Sequence, residues 1–142
     1  MSKYFKYKFK IYYEDTDSGG IVYYANYLKY LERARSEAIY SLGLTNTNLQ
    51  KNHDTLIFVK SCNIEYKKPA KLEDELEIIS SILSKTRTSF TMLQIIKKNE
   101  EIISEATVRL VTVNKDGKPI KIPEILNNLS LIHISEPTRP FH

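Results

Sequence analysis

Cysteine and histidine are scarce in this sequence, and tryptophan is absent. The single cysteine, Cys62, rules out an internal disulfide and is typical of a protein from a reducing compartment. The histidines, His53, His133 and His142, are too far apart in sequence to give the ligand spacing of a metal site. We therefore expect neither a disulfide framework nor a bound metal.

Long apolar runs are also missing, so no segment predicts a membrane span. The basic stretch MSKYFKYKFK lacks the apolar core and the small-residue cleavage site of a secretory signal. We therefore expect a cytoplasmic protein without stable membrane insertion.

The formal net charge is +4, which is compatible with nucleic acid, an anionic membrane surface or a nucleotide-bearing small molecule as a partner. However, lysine and arginine are dispersed along the chain and alternate with apolar residues, a pattern that favours solvated strand faces. The tyrosines cluster before one predicted helix and lack the aromatic strand motif of RNA-binding sheets. We therefore do not expect a nucleic-acid partner.

One strand and one helix stand out by periodicity. From Phe5 to Tyr13, aromatic and apolar residues alternate with lysines, which predicts a half-buried strand. From Asn26 the apolar period becomes three and four, which predicts a helix with Asn26 as its N-cap and Gly43 as its stop. The predicted buried face comprises Tyr27, Leu28, Leu31, Ala34, Ala38, Ile39 and Leu42, and Ser36 is placed on the opposite face.

A polar linker, Thr45 to Thr55, precedes four further predicted strands, separated by turn signals. These strands are Leu56–Tyr66, Leu76–Leu83, Ser89–Lys97 and Ile102–Val113. The pattern predicts an α+β fold, with a roughly five-stranded antiparallel sheet wrapped around one long helix. Cys62 is expected to be buried in its strand as a small hydrophobe. Residues 1–129 form the predicted domain, and 130–142 are interpreted as an irregular, non-native tail because periodicity is lost there.

The loop between the first strand and the helix carries the candidate chemistry. Asp17 is followed by Gly19 and Gly20, then by aromatic residues and the start of the helix. Glycines allow positive φ and close approach of a ligand, and helix-start N–H groups favour an oxygen that gains negative charge. A carboxylate upstream can attack a carbonyl or activate water. Together these features suit carbonyl hydrolysis.

The loop has three other interpretations. A calcium loop would use Asp15 and Asp17, but Gly19 and Asn26 stand where further oxygen ligands are needed. A phosphoryl-transfer aspartate is conceivable, but no phosphate-cradling lysine motif follows. The loop can also be an aspartate-rich turn that caps a helix, and spacing alone leaves that interpretation open.

The pattern Tyr13-x-x-x-Asp17-x-x-Gly20-Ile21-Val22-Tyr23-x-x-Asn26-Tyr27 resembles the signature of the hotdog-fold 4-hydroxybenzoyl-CoA thioesterase family. The flanking EDTDSGG and LKYLERARSE resemble the bacterial acyl-CoA thioesterase branch associated with the Tol–Pal envelope system. The resemblance extends to about Leu129 and implies an acyl-CoA thioester hydrolase.

The resemblance also implies roles for individual residues. Asp17 would attack the thioester or activate water, the backbone N–H of Tyr24 would polarise the carbonyl, and Tyr13 would lie near the aspartate. Gly20 would let the acyl group approach closely. Ile57, Phe58 and Val59 lie where the family lines its acyl site, and Arg87 where it binds CoA phosphates; plain core strand and a solvated turn are the alternatives for these four.

The resemblance further implies no metal or redox cofactor and a homodimer or homotetramer with acyl-CoA in clefts between subunits. By analogy, an acyl carrier protein or the envelope system are further partners. One position departs from the Tol–Pal-associated branch, which usually has histidine where this sequence has Tyr24. This departure keeps open a second function, a catalytically weak hotdog protein that binds acyl-CoA or acyl carrier protein.

Overall fold

The computed structural model describes residues 4–131. Five strands form one antiparallel sheet in the order β1-β3-β4-β5-β2. They are β1 (Phe5–Lys10), β2 (Leu56–Tyr66), β3 (Glu75–Lys85), β4 (Ser89–Lys98) and β5 (Glu101–Val113). Two α-helices, α1 (Ala25–Tyr40) and α2 (Asn46–His53), and two 3-10 helices, Tyr13–Asp15 and Glu124–Leu131, complete the described chain.

The predicted α+β fold, a five-stranded antiparallel sheet around one long helix, is confirmed. The later strands begin and end within two residues of their predicted bounds. Most of the predicted tail, beyond residue 131, lies outside the described residues, as do His133 and His142. Among the described helices, none is long and apolar enough to cross a membrane.

Helix α1 packs its apolar stripe on the sheet. Tyr27, Leu31, Ala34 and Ala38 recur at steps of three and four and are almost fully buried, as the periodicity predicted. Two assignments of faces were wrong. Leu28 is 51% exposed, and Ser36 is buried, where its hydroxyl donates to the Glu32 carboxylate at 2.6 Å. A polar residue on the buried flank is tolerated because this hydrogen bond satisfies it.

The predicted linker between α1 and β2 is instead the short helix α2. The Thr45 hydroxyl accepts a hydrogen bond from the backbone N–H of Asn48 at 3.0 Å and caps the helix start. Leu49 is buried and anchors α2 against the core. Its single apolar residue gives too little periodicity for sequence reasoning to find the helix.

The first strand is shorter than predicted, because it ends at Lys10 instead of reaching Tyr13. The Asp15 carboxylate accepts from the Tyr12 backbone N–H at 2.9 Å, which turns the chain into a 3-10 helix. Tyr13 is therefore 80% exposed, whereas the alternating pattern placed it on the buried face.

Strand β2 lies at the edge of the sheet, where among the described strands it pairs only with β5. Most of its residues are exposed on both faces, including Phe58 and Val59. Cys62 is also exposed, so the prediction that it is buried was wrong. Edge position leaves one side of the strand and its side chains without a covering neighbour.

Candidate active site

A tight hairpin carries Asp17 and the glycines. The Asp17 N–H donates to the Ile21 carbonyl at 2.9 Å, and the Gly20 N–H donates to the Asp17 carbonyl at 3.0 Å. Gly20 has φ +78°, a conformation that residues with a side chain rarely adopt. The Leu72 N–H donates to the Gly20 carbonyl at 2.9 Å, which fixes the hairpin to the segment before β3.

The carboxylate of Asp17 is exposed but held in one orientation. Its Oδ1 accepts hydrogen bonds from the backbone N–H groups of Gly19, at 2.8 Å, and Ile21, at 3.3 Å. Its other oxygen, Oδ2, accepts from no residue within 4–131. One oxygen therefore positions the group, while the other is available to a substrate or a water molecule.

Hydrogen bonds to the Asp15 carbonyl join the start of α1 to this hairpin. The Asp15 carbonyl accepts from the Tyr23 N–H at 3.3 Å and from the Asn26 side-chain amide at 2.8 Å. Asn26 is thus not the N-cap that the sequence predicted; Tyr24 takes that position, and Asn26 links helix and loop. The backbone N–H of Tyr24 has no acceptor in the described part of the chain. It precedes the positive end of the helix dipole.

Three residues to which the sequence analysis gave no catalytic role lie near this corner. Asp15 is only 7% exposed, and Tyr27 and Tyr30 are each 1% exposed. The Tyr27 hydroxyl accepts from the Ala70 N–H at 3.1 Å. The Tyr30 hydroxyl is buried and has no hydrogen-bond partner within the described residues. Burial first, then the charge of Asp15, raises the pKa of Tyr30 strongly. The sequence signal that could have identified Tyr27 and Tyr30 is the presence of tyrosines on the side of the helix that carries Asn26.

An aromatic cluster flanks the helix start. The Tyr24 ring lies 4.8 Å from the Tyr66 ring, and Tyr66 meets Tyr27 edge-on at 5.1 Å. Tyr23 and Tyr24 are each 63% exposed. The Tyr13 carbonyl accepts from the Thr16 hydroxyl at 3.0 Å and the Thr16 N–H at 3.1 Å, and the Tyr13 side chain makes no hydrogen bond among the described residues. Hydrogen bonds thus join Asp17 to Gly20 within the hairpin. The Asp15 carbonyl joins the same loop to Tyr23, the residue before Tyr24.

The predicted substrate residues lie at the other end of the sheet. Tyr66 at the end of β2 touches Tyr24, whereas Ile57, Phe58 and Val59 lie near the start of this 11-residue strand. Arg87 follows the end of β3, which also has 11 residues and begins beside the hairpin. At about 3.3 Å per residue, the ends of either strand are roughly 33 Å apart. Within one chain, these residues do not meet Asp17.

No three metal-ligating side chains gather among residues 4–131. Asp15 and Asp17 do not share a site: the Asp15 carboxylate is buried and accepts from the Tyr12 N–H, and Asp17 faces solvent. The calcium interpretation therefore receives no support from the loop geometry.

Comparisons with known proteins identify the family of this chain. The protein-family model described as the thioesterase superfamily matches residues 19–104. The acyl-CoA thioesterase YbgC of Haemophilus influenzae is 34% identical over 121 residues, covering 84% of this chain and 89% of the relative. The acyl-CoA thioester hydrolase YbgC of Escherichia coli O157:H7 is 35% identical over 122 residues, with 84% and 90% covered.

Solved structures share the fold. A probable thioesterase from Bartonella henselae superposes with a TM-score of 0.81 at 31% identity, covering 84% of this chain and 99% of that one. A 1,4-dihydroxy-2-naphthoyl-CoA thioesterase from Synechocystis gives 0.83 at 21% identity, covering 90% and 96%, which shows the fold alone. The chain therefore belongs to the thioesterase superfamily, as a hotdog-fold enzyme of the branch that contains the YbgC proteins.

Proposed function

We propose that this protein hydrolyses acyl-CoA thioesters at Asp17. The observation that carries the proposal is the pairing of an exposed, oriented carboxylate with an unengaged helix-start N–H, that of Tyr24. These are the two components that thioester hydrolysis requires, an attacking or activating group and a donor for the developing oxyanion. Relatives named as acyl-CoA thioesterases support the substrate class.

In the proposed reaction, the Tyr24 N–H donates to the thioester carbonyl oxygen, which gains negative charge as the carbon becomes tetrahedral. A single such donor lowers the barrier by about 3–4 kcal/mol. Asp17 either takes a proton from water, whose oxygen bonds to the carbonyl carbon, or attacks directly to give an anhydride that water then hydrolyses. In both routes the C–S bond breaks, the sulfur leaves as thiolate and is protonated, and the acyl group leaves as a carboxylic acid.

Tyr24 contributes its backbone to this scheme, so the phenol in place of the branch's usual histidine does not remove the oxyanion donor. The phenol packs on Tyr66 and stays exposed. The second function, acyl-CoA or acyl-carrier-protein binding with little turnover, would follow if the histidine's proton is essential to the leaving thiolate. Turnover by the unaltered protein separates the two functions.

We further infer that two copies complete each site, as a homodimer or as part of a tetramer. The outer edge of β2, which pairs with no strand of residues 4–131, can accept another strand. If two β2 edges pair antiparallel about a two-fold axis, the start of one strand lies beside the end of the other. Phe58 of one copy would then approach Tyr66 and the catalytic corner of the other. The remaining predictions from the resemblance, a cytoplasmic location and envelope-system or carrier-protein partners, stay predictions.

The deciding experiment compares the parent, Asp17→Asn and Asp116→Asn on short, long and aromatic acyl-CoAs. Asparagine keeps an oxygen for the Gly19 and Ile21 N–H groups but is neither a base nor a nucleophile, so kcat should fall by roughly 10²–10⁴-fold. Asp116 lies in an exposed turn after β5, and its substitution should leave kcat unchanged. Equal activity of Asp17→Asn and the parent would refute the role of Asp17. Binding without turnover in the parent would establish the second function.

A further inference from the structure

Helix α1 begins without a side-chain cap. Its N-cap residue is Tyr24, whose side chain makes no capping hydrogen bond. A phenol does not suit this task, because the side chains that reach the first-turn N–H groups are those of serine, threonine, aspartate and asparagine. The first turn also carries no acidic residue that would interact with the helix dipole. The helix start that supplies the proposed oxyanion donor is therefore held by other contacts.

Backbone hydrogen bonds leave the Tyr24 N–H unengaged within residues 4–131. The Asn26 N–H donates to the Tyr23 carbonyl at 2.9 Å, and the Tyr27 N–H donates to the Tyr24 carbonyl at 3.1 Å. The Tyr24 N–H itself has no acceptor in this part of the chain. A donor that must stay free for substrate cannot be oriented by a hydrogen bond of its own, so its orientation depends on the rest of the residue.

The ring of Tyr24 is held by Tyr66, the last residue of β2. The two ring centroids are 4.8 Å apart, with the planes tilted by 48°. Tyr66 in turn meets the ring of Tyr27 edge-on, at 5.1 Å and 89°. Both arrangements are among those that aromatic pairs prefer, because the positive ring edge of one partner approaches the negative face of the other. Tyr66 therefore joins the end of β2 to the start of α1.

The far end of this stack is anchored in the core. Tyr27 is 1% exposed, and its hydroxyl accepts from the Ala70 N–H at 3.1 Å. The Ala70 carbonyl accepts from the Val22 N–H at 2.9 Å, in the returning arm of the catalytic hairpin. The same short segment thus holds both the buried ring and the hairpin. Tyr66 stands between this fixed ring and the ring of the residue that carries the donor.

We propose that Tyr66 is a positioning residue for thioester hydrolysis, because its ring holds the Tyr24 ring and thereby the Tyr24 backbone N–H. This inference rests on the proposed function and deepens it. Contact with Tyr66 fixes the direction of the Tyr24 side chain, and only rotation about the N–Cα bond separates that side chain from the N–H. An oxyanion donor is effective when it is already aimed at the place where charge develops.

Tyr66→Leu removes the ring from the stack. Its kcat should fall by roughly threefold to tenfold, the factor that one aromatic pair can contribute, while KM stays within about twofold. Tyr66→Phe keeps the ring and should retain the parent's kcat. Tyr40→Leu is the matched control, because Tyr40 is 46% exposed, Tyr66 is 43% exposed, and Tyr40 lies at the other end of α1. A parent-like kcat in Tyr66→Leu would overturn the inference, whatever its thermal stability.

A double-mutant cycle tests whether Tyr66 acts through Tyr24. Tyr24→Leu removes the partner ring but keeps the backbone N–H, so its kcat should fall by a similar factor. The double variant Tyr24→Leu/Tyr66→Leu should fall no further than the slower single variant, because both substitutions remove the same contact. Effects that multiply in the double variant would show independent roles and would overturn the inference.

Two further measurements separate the outcomes. Tyr66 lies on the β2 edge, so sedimentation velocity accompanies the kinetics; if Tyr66→Leu changes the oligomeric state, a parent-like kcat in Tyr24→Leu would overturn the inference. If the parent hydrolyses no thioester, the proposed function fails, and ¹⁵N relaxation of the Tyr24 amide still tests the positioning. Its order parameter should fall from about 0.85 toward about 0.6 in Tyr66→Leu and stay high in Tyr66→Phe. Equal order parameters in the parent and Tyr66→Leu would refute the role of Tyr66.

Discussion

The side-chain amide of Asn26 donates a hydrogen bond to the backbone carbonyl of Asp15, with 2.8 Å between nitrogen and oxygen. The same carbonyl accepts from the Tyr23 N–H, one residue before the proposed oxyanion donor. Asp15 in turn precedes Asp17 by two positions. The relative placement of the carboxylate and the Tyr24 N–H therefore depends on a contact between the first turn of α1 and the loop before it.

Asn26→Leu tests this contact. Leucine keeps the approximate shape of the side chain but cannot donate to the Asp15 carbonyl, so kcat should fall at least tenfold while KM changes less. The free energy of unfolding should drop by about 1 kcal/mol. Steady-state kinetics with urea unfolding measure both. Asn52→Leu, on the exposed side of α2, is the control. An unchanged kcat in Asn26→Leu would show that the contact does not position the site.

Gly20→Ala tests the positive φ of the catalytic hairpin. Alanine is strained at φ +78°, although its Cβ would meet no atom within 4 Å in this chain. Gly117→Ala offers the same strain at φ +80°, in the turn after β5. Both variants should lose about 1 kcal/mol of stability, and only Gly20→Ala should lose kcat/KM. Equal kinetics in the two variants would mean that close approach at Gly20 is not required.

Tyr27 and Tyr30 should respond differently to loss of the hydroxyl. Tyr27→Phe leaves the buried Ala70 N–H without its acceptor and should cost about 1–3 kcal/mol of unfolding free energy. Tyr30→Phe removes a hydroxyl that has no partner within residues 4–131, so its cost should be near zero. Chemical denaturation of both variants decides this. A cost for Tyr30→Phe as large as for Tyr27→Phe would show that its hydroxyl is engaged by Asp15.

The raised pKa values of the same two tyrosines predict that the free energy of unfolding decreases at alkaline pH. Burial raises the pKa of both above the ordinary value of 10.0. As the pH rises, the unfolded chain therefore loses the two phenol protons before the folded chain does. The free energy of unfolding that depends on them is fully present below about pH 10 and should decrease as the pH rises above it. Urea unfolding at about pH 8 and pH 11 measures the loss, which Tyr30→Phe should reduce. A loss equally large in Tyr30→Phe would assign it to other groups.

Arg87→Ala tests the predicted contact with CoA phosphates. Removal of a cation that binds substrate and transition state equally should raise KM several-fold with little change in kcat. Higher ionic strength should raise the parent's KM toward the variant's, since salt screens exposed charges. Arg109→Ala, exposed on β5, is the matched control. An unchanged KM would remove Arg87 from the site.

Phe58→Glu tests the pairing of β2 edges. A carboxylate at this half-exposed edge position should oppose burial in an interface and shift the protein toward monomers in sedimentation velocity. Thioesterase activity should fall in parallel, because the proposed site needs both copies. Leu83→Glu carries the same charge at a comparably exposed position on β3 and should sediment like the parent. A monomeric parent with full activity would refute the shared site.

Much of this protein could be read from its sequence because the relevant signals are local. The stripe of Tyr27, Leu31, Ala34 and Ala38 shows which side of α1 is apolar, and that side is buried as predicted. The motif from Tyr13 to Tyr27 and its flanks likewise carried the resemblance to the thioesterase family, and the match of the family model to residues 19–104 confirms that family.

What the tertiary structure decided depends on residues distant in sequence. Only the tertiary structure shows that the Tyr27 hydroxyl accepts from the Ala70 N–H, and only the Asp15 carbonyl reveals the role of Asn26. The edge position of β2 exposes Cys62, and Phe58 near the start of β2 and Arg87 after the end of β3 lie at the strand ends away from the catalytic hairpin. Strand order is set by long-range pairing that no local pattern specifies. For that reason the sequence named the candidate residues, and the fold alone determined which of them meet within one chain.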